Sequence, residues 1–228
     1  MSTISKSKES VYSAWHFWNV AAEAAQRAQK TRKVHPKAFT SDTINAILLS
    51  AMSTEAFINE LGSQLSFLDS EDKNDLDKFT SLGHLLEELE TGRAQIKSKY
   101  LLASNLLPGK PFRRGKQPFQ DFSLLVDIRN DFAHPRPEQD PQPKYLKHFS
   151  QMKWLYNRPG KEPKVVGWIF RLQTPEIAVW ACRTASSIIY DLITRFKEEL
   201  HPVICDLYDK MNLQWKNSLN DKRVGLVS

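Results

Sequence analysis

Apolar residues recur along most of the chain at alternating spacings of three and four, the period of a helix that buries one face. The clearest stretch predicts a helix from Ser41, as N-cap, to about Leu65. One acid, Glu55, interrupts its apolar seam. An unpaired carboxylate in such a seam is costly, so we expect Glu55 to be buried and neutralised by an Arg or His, with Arg129 the first candidate. The seam consists of Ile44, Leu48, Ala51, Glu55, Ile58, Gly62 and Leu65.

The same periodicity predicts the other elements, which together make an all-α bundle of five to seven helices in a single domain, 1–228. An acidic connection, 69–77, precedes the third helix, and a proline-rich extended loop follows the fourth. Residues 165–172 fit either a strand or an extended cover. The long loop or insertion 135–173 is expected to pack on the bundle through Trp154, Trp168 and Trp180. The predicted helices cover about 10–30, 41–65, 79–105, 120–133, 145–152, 174–200 and 203–219.

The composition is that of an ordinary globular protein, with 41% hydrophobic and 25% charged residues. No apolar run approaches the ~18 residues that cross a bilayer, and the N-terminus lacks the apolar stretch of a secretory signal. Cys182 and Cys205 have neither the spacing nor the histidine neighbours of a zinc site. We therefore expect a cytoplasmic protein with no membrane span, metal or cofactor.

Positive charge is segregated along the chain. Residues 91–118 hold seven basic residues and no acid, and residues 24–41 hold five basic residues and no acid. Such segregation suits a surface that meets a polyanion, although solvated loops remain the alternative. The loop 109–116 is the stronger candidate, because Phe112 offers an aromatic face among its cations. We expect the loop to contact a phosphate backbone.

The end of the fourth helix carries the candidate chemistry. Asn130 and His134 are four residues apart and share a face, while Arg129 starts about 100° away and can reach round with its long side chain. The negative end of the helix dipole favours a cation at His134. Arg binds a phosphodiester as a fork and His moves a proton. The alternative is structural: His134 caps the last carbonyls, and Arg129 pairs with a buried acid such as Glu55.

The pattern Arg-Asn-x-x-x-His at 129–134, after a long helix reading Ser-Thr-Glu-Ala-Phe-Ile-Asn-Glu-Leu at 53–61, resembles the HEPN superfamily of helical, usually dimeric proteins. The resemblance covers about 10–134 and 174–200. Many members are metal-independent ribonucleases of toxin–antitoxin, abortive-infection and CRISPR-type defence systems. The resemblance implies that Arg129 and His134 are the catalytic pair and Asn130 the polar residue after the Arg. Glu55 matches the family's acid on the long helix loosely, and the segments 106–118 and 135–173 are longer than a minimal member needs.

The resemblance implies a metal-independent RNA endonuclease that leaves 2′,3′-cyclic phosphate ends. His134 would be the general acid or base, and Arg129 would stabilise the charge on phosphorus. The protein would act as a two-fold homodimer, with an antitoxin or defence protein as a possible partner. The alternatives are a non-catalytic HEPN module that binds RNA, a nucleotide or a protein partner, and a plain scaffold. The residues expected to bind RNA are Lys110, Arg113, Arg114, Lys116 and Arg136.

Overall fold

The computed structural model describes residues 7–35, 40–68, 73–134, 143–156, 167–197 and 202–225, and all regular structure in these ranges is helical. The all-α class is confirmed, but the described ranges hold nine α-helical segments rather than five to seven. None of these helices is both long and apolar enough to cross a membrane. The helices are α1 (Ser7–Val34), α2 (Ser41–Ser66), α3 (Lys73–Thr91), α4 (Ile96–Leu106), α5 (Phe119–Ala133), α6 (Pro143–Gln151), α7 (Trp168–Arg171), α8 (Pro175–Thr194) and α9 (Pro202–Leu219), followed by a 3₁₀ turn, Lys222–Val224.

The helix α2 lies at the centre of the fold, in contact with α1, α3, α4, α5 and α8. Because it has neighbours on several sides, it buries a broad face rather than the narrow seam that the sequence predicted. Ile44, Leu48 and Glu55 lie at the edge of this face and are only half-buried. The buried face consists of Thr43, Ala46, Ile47, Ser50, Ala51, Ser53, Thr54, Phe57, Ile58, Leu61, Gly62 and Leu65.

The start of α2 is set by Thr40, not by Ser41 as predicted. Thr40 has extended backbone, and its side-chain oxygen accepts a hydrogen bond from the Asp42 N–H at 3.1 Å. A side-chain oxygen that satisfies an early helix N–H is what defines an N-cap. Ser41 is instead the first helical residue. The predicted cap was therefore one residue late, and the helix itself is confirmed.

The predicted helix 79–105 is two helices, because the chain leaves helical geometry after Thr91. Arg93 has a positive φ of 54°, and the Ala94 N–H donates to the Leu89 carbonyl at 2.8 Å. A left-handed residue followed by an N–H that donates to the carbonyl five residues earlier is the Schellman motif, which commonly ends helices. The prediction for 69–77 is also wrong in part, because α3 begins at Lys73 within this acidic stretch.

The second half of the chain follows the predicted order with shifted ends. Thr174 occupies the N-cap position of α8, as predicted, but α8 ends at Thr194 rather than near His201. The predicted short helix 145–152 corresponds to α6. Residues 168–171 form one helical turn instead of a strand or an extended cover. The proline-rich loop 135–142 lies outside the described residues.

Two clusters of buried side chains enclose α5. Phe122 and Val126 of α5 belong to the main cluster, which α1, α2, α3 and α8 build. Leu125 and Ile128 belong to a second cluster, built with α6, α8 and Trp154. Because consecutive side chains of α5 enter different clusters, packing fixes the helix from both sides. The expected packing of the insertion through its tryptophans is confirmed, since Trp154, Trp168 and Trp180 all contribute to the second cluster.

One position on α3 requires glycine. A Cβ built on Gly83 would lie 2.2 Å from the Ser66 backbone nitrogen and 2.6 Å from the Leu65 carbonyl carbon. Both are backbone atoms, so they cannot move aside as the end of a flexible side chain can. The absence of a side chain at position 83 therefore allows α3 to approach the end of α2 closely.

Glu60 of α2 faces α1. The Ala14 N–H donates to Glu60 Oε1 at 3.2 Å. Burial raises the pKa of Glu60 from its ordinary 4.5 to about 7, although hydrogen bonds from Ala14 and Ser13 act in the opposite direction. The folded protein therefore holds the Glu60 proton more tightly than the unfolded chain does. Its stability is expected to fall as the pH rises from 4.5 towards 7.

We predict that Glu60→Gln has little effect on the melting temperature near pH 4.5 and raises it at pH 8. The substitution removes a charge that is only partly solvated, while the amide oxygen can still accept from Ala14. Thermal unfolding across this pH range checks the prediction. Glu88→Gln, on the exposed surface of α3, is the matched control. A melting-temperature difference that is the same at every pH would contradict the account.

Candidate active site

The last turn of α5 presents the polar motif at the protein surface. His134 has φ −131° and ψ 64°, and its N–H donates to the Asn130 carbonyl at 2.9 Å. His134 is therefore the C-cap residue, and Pro135 follows it in the sequence and cannot continue a helix. The side chains of Asn130 and His134 are exposed. Within the described part of the chain, the His134 imidazole has no hydrogen bond or ion pair.

The guanidinium of Arg129 joins α5 to α2. Its Nη2 donates to Glu55 Oε2 at 2.8 Å, and its Nη1 donates to Asn130 Oδ1 at 3.1 Å. The predicted pairing of Glu55 with Arg129 is confirmed, but the predicted burial is wrong. The side chains are 39% and 34% exposed respectively, because position 55 lies at the edge of the buried face of α2. A pair this exposed contributes about 1 kcal/mol or less to stability. Its main effect is to fix where the guanidinium points.

Two further carboxylates line the motif side of α5, and the sequence reasoning missed both. Asp127 forms a close ion pair with Lys97 of α4. Asp131 Oδ2 accepts from the Tyr145 hydroxyl at 2.9 Å. The spacings of four and seven residues from Asp127 to Asp131 and His134 place the three on one helix face, and this pattern was visible in the sequence. The polar surface at this end of α5 is therefore larger than the motif.

Tyr145 of α6 holds the last turn of α5 in place. Burial raises the pKa of the Tyr145 hydroxyl well above its usual range, and the Asp131 and Asp127 carboxylates raise it further. The hydroxyl therefore remains a neutral donor to Asp131. Beside it, Phe132 stacks on Trp168 with ring centroids 5.2 Å apart. Elements that the sequence placed in a long insertion thus fix the orientation of the motif.

The predicted RNA-binding loop is exposed, but its aromatic residue is not. Phe112 is 8% exposed, packs on Phe119 at 5.9 Å, and lies 4.6 Å below the guanidinium of Arg195. The prediction that Phe112 offers a free stacking face is therefore wrong, because the loop folds inward and uses the ring as an anchor. Arg136 lies outside the described residues. The exposed cations of the loop are Lys110, Arg113, Arg114 and Lys116.

The basic loop and the motif lie at opposite ends of α5. The helix has 15 residues, so its ends are about 22 Å apart at 1.5 Å per residue. Two further cations of the same basic run form ion pairs within the protein instead of facing solvent freely. Lys97 pairs with Asp127, and Lys99, which is 2% exposed, binds Glu90 and donates to Asn59 Oδ1 at 2.7 Å. Within one chain, the structure therefore brings together Glu55, Arg129 and Asn130, with His134 at the same helix end, and separates them from the loop.

No three His, Cys, Asp or Glu side chains of the described ranges converge so that they could hold a metal ion. Both cysteines are free thiols, and burial raises the pKa of Cys182 to about 12. Comparison of the chain with protein-family models, with curated proteins and with solved structures finds no match. The residues of this site are therefore what indicates a function.

We predict that Tyr145→Phe lowers the free energy of unfolding by about 1–2 kcal/mol, the usual effect of leaving a partly buried acceptor without its donor. It should also speed hydrogen exchange of the His134 N–H, because the last turn of α5 loses a restraint. Tyr190→Phe is the control, since the Tyr190 hydroxyl has no hydrogen-bond partner among the described residues. Denaturant unfolding and amide exchange measure both effects. Unchanged exchange at the end of α5 would argue against the restraint.

Proposed function

We propose that this protein is a metal-independent endoribonuclease of the HEPN type, acting in a toxin–antitoxin or phage-defence setting. The observation that carries the proposal is the guanidinium of Arg129, oriented by Glu55 and Asn130 at an exposed helix end that also presents the imidazole of His134. An oriented guanidinium and an exposed imidazole are the groups that a metal-free phosphodiester cleavage needs. The HEPN resemblance of the motif adds to this support.

The proposed reaction uses the ribose hydroxyl of the substrate as nucleophile. The 2′-oxygen attacks phosphorus, the bond from phosphorus to the 5′-oxygen breaks, and the products carry a 2′,3′-cyclic phosphate and a 5′-hydroxyl. His134 takes the proton from the 2′-hydroxyl or delivers one to the leaving 5′-oxygen. Arg129 has five N–H donors, and those not used by Glu55 and Asn130 bind the phosphate oxygens on which charge builds. Asn130 keeps the guanidinium turned towards them.

A homodimer would complete the site. One chain supplies one imidazole, whereas cleavage needs a base and an acid. A two-fold interface that includes the end of α5 would bring a second copy of the motif to the same cleft. Met52 supports this face as the interface, because it lies one turn before Glu55 on α2 and is a large apolar side chain with 38% exposure. The partner of the motif would then be a second copy of this chain.

The second candidate is a non-catalytic HEPN module that binds RNA, a nucleotide or a protein partner. The Glu55–Arg129 pair favours it, since Glu55 neutralises part of the charge that a phosphate would meet. In that case the ion pair holds α5 on α2 and the imidazole only ends the helix. The two candidates differ in one respect: only the first loses an activity when His134 is replaced.

We predict that His134→Ala and Arg129→Ala each abolish RNA cleavage and any growth arrest on expression, while the fold persists because both side chains lie at the surface. Asn130→Ala should reduce cleavage less, since it removes an orienting hydrogen bond only. EDTA should have little effect. His84→Ala, at an exposed histidine of α3, is the control. If the wild type cleaves no RNA across a broad panel and is not toxic, the binding-module candidate replaces this proposal.

We also predict that the protein is a dimer at micromolar concentration and that Met52→Glu makes it a monomer, because the new charge would be desolvated at the proposed interface. Multi-angle light scattering measures the mass directly. Leu85→Glu is the matched control: Leu85 is 40% exposed on α3, outside the proposed interface. A wild type that is monomeric at these concentrations would contradict the two-copy site.

A further inference from the structure

A cleft of about 300 Å³ opens at the start of α5, beside α8 and Trp154. Gln117 and Pro118 form part of its wall, and they directly follow Lys116 of the basic loop. The cleft thus adjoins the loop, and Asp121 in its lining lies about 20 Å from His134 along the axis of α5, at 1.5 Å per residue. It plays no part in the site described above.

Buried polar atoms that make no hydrogen bond lie at and behind the wall of this cleft. Of the ten such buried side-chain atoms in the described residues, three are Asp121 Oδ1, His148 Nε2 and Trp180 Nε1. The first two face each other at 3.9 Å, within ion-pair distance. Asp121 and Trp180 line the cleft, and His148 lies behind Asp121 rather than in the lining. Trp180 is only 6% exposed. Because nearly all buried polar groups in proteins have a hydrogen-bond partner, the indole N–H of Trp180, which has neither a hydrogen bond nor an ion partner among the described residues, indicates a place where a polar ligand binds.

The lining specifies the chemistry of that ligand. Trp154, the more exposed of the two indoles, and Trp180 give the lining aromatic character, and Asp121 supplies a hydrogen-bond acceptor. Cations lie at the rim, since Arg183 lines the cleft and is exposed, and the exposed Lys116 directly precedes the lining residue Gln117. An aromatic wall inside and cations at the rim suit a nucleotide, with its base in the cleft and its phosphate at the rim. The volume is at the lower end of the ~300–1,000 Å³ of small-ligand sites, enough for one planar base.

We propose that this cleft binds one unpaired base of a single-stranded RNA whose backbone follows the basic loop. The proposal rests on RNA being the substrate of the proposed function and adds a substrate class to it. Asp121 accepts a hydrogen bond from an exocyclic amino group, so the cleft prefers cytosine to uracil, which has a carbonyl at that position. A second carboxylate, Glu176, also lines the cleft and keeps the phosphate at the cationic rim.

The position of the cleft gives the substrate a minimum length. The base bound at Asp121 and the phosphate at His134 would be about 20 Å apart along α5. At about 3.4 Å per nucleotide in a stacked strand this is about six nucleotides, and fewer in an extended one. The enzyme would therefore cut at a fixed offset from the base that the cleft holds.

The test measures binding without cleavage. Short 2′-O-methyl oligocytidine and oligouridine lack the attacking hydroxyl, and fluorescence anisotropy gives their dissociation constants. The wild type should bind oligocytidine more tightly. Trp154→Ala should weaken that binding about tenfold, as expected for loss of one stacking contact, and Trp154→Phe should restore most of it. Asp121→Asn should reduce the preference for cytosine. Lys216→Ala, at an exposed cation on α9, should change nothing.

The salt dependence of oligonucleotide binding distinguishes the contribution of the cleft from that of the basic loop. Reversing the charge of Arg113 and Arg114 should flatten the salt dependence of binding and leave the cytosine preference intact. Trp154→Ala should do the opposite, with the salt dependence retained and the preference reduced. If Trp154→Ala does not fold, wild-type protein and oligonucleotides with one abasic position give the same information: a single position should weaken binding about tenfold.

Several results would overturn the proposal. One is equal binding of oligocytidine and oligouridine by the wild type; another is wild-type affinity in folded Trp154→Ala and Asp121→Asn. Binding of CMP alone as tightly as the oligonucleotide would overturn the assignment to an RNA strand. The outcome is separable from that of the proposed function. Cleft-dependent binding without cleavage would refute only the nuclease, whereas cleavage that ignores the cleft variants would refute only the cleft.

Discussion

The hydrogen-bonded ion pair between Arg129 and Glu55 is the contact on which the proposed chemistry depends. It fastens the end of α5 to the middle of α2, the helix that most of the fold packs against. The pair is too exposed to contribute much stability. Its main effect is to orient the Arg129 guanidinium. An unpaired arginine at a helix end would sample many rotamers, whereas this one is held by two acceptors, Glu55 and the amide of Asn130. The remaining donors are thereby presented to the surface.

The helix α5 organises the candidate site because its two ends carry different features. Its C-terminal end carries the motif, which Tyr145 and Trp168 restrain from the side of α6 and α7. Its N-terminal end adjoins the basic loop and the cleft. Two packed clusters hold the helix along its length, so the distance between the ends is fixed. An RNA strand that contacted both ends of α5 would therefore have its two contact points held about 22 Å apart.

The sequence was informative where the determinants are local. Helical periodicity predicted most elements, and spacing along one helix placed Arg129 and His134 at a helix end. An acid within an apolar stripe had to find a partner, which predicted the pairing of Glu55 but not its exposure, because exposure depends on how widely α2 is covered. Packing between residues far apart in the sequence was not predicted. The burial of Phe112 depends on Arg195, 83 positions later in the printed sequence. The cleft depends on α5, α8, the residues just before α5 and the turn at Trp154 meeting.

The central claim is that the ribose hydroxyl, activated at His134, cleaves the strand without a metal ion. The most direct test is an RNA with a single 2′-deoxynucleotide placed immediately 5′ of a mapped cleavage site, incubated with the protein in EDTA. The account predicts that cleavage stops at that linkage and continues at unmodified ones, with 2′,3′-cyclic phosphate ends in the mass spectrum. Cleavage that persists at the deoxy linkage, or that appears only with a divalent ion, would contradict it.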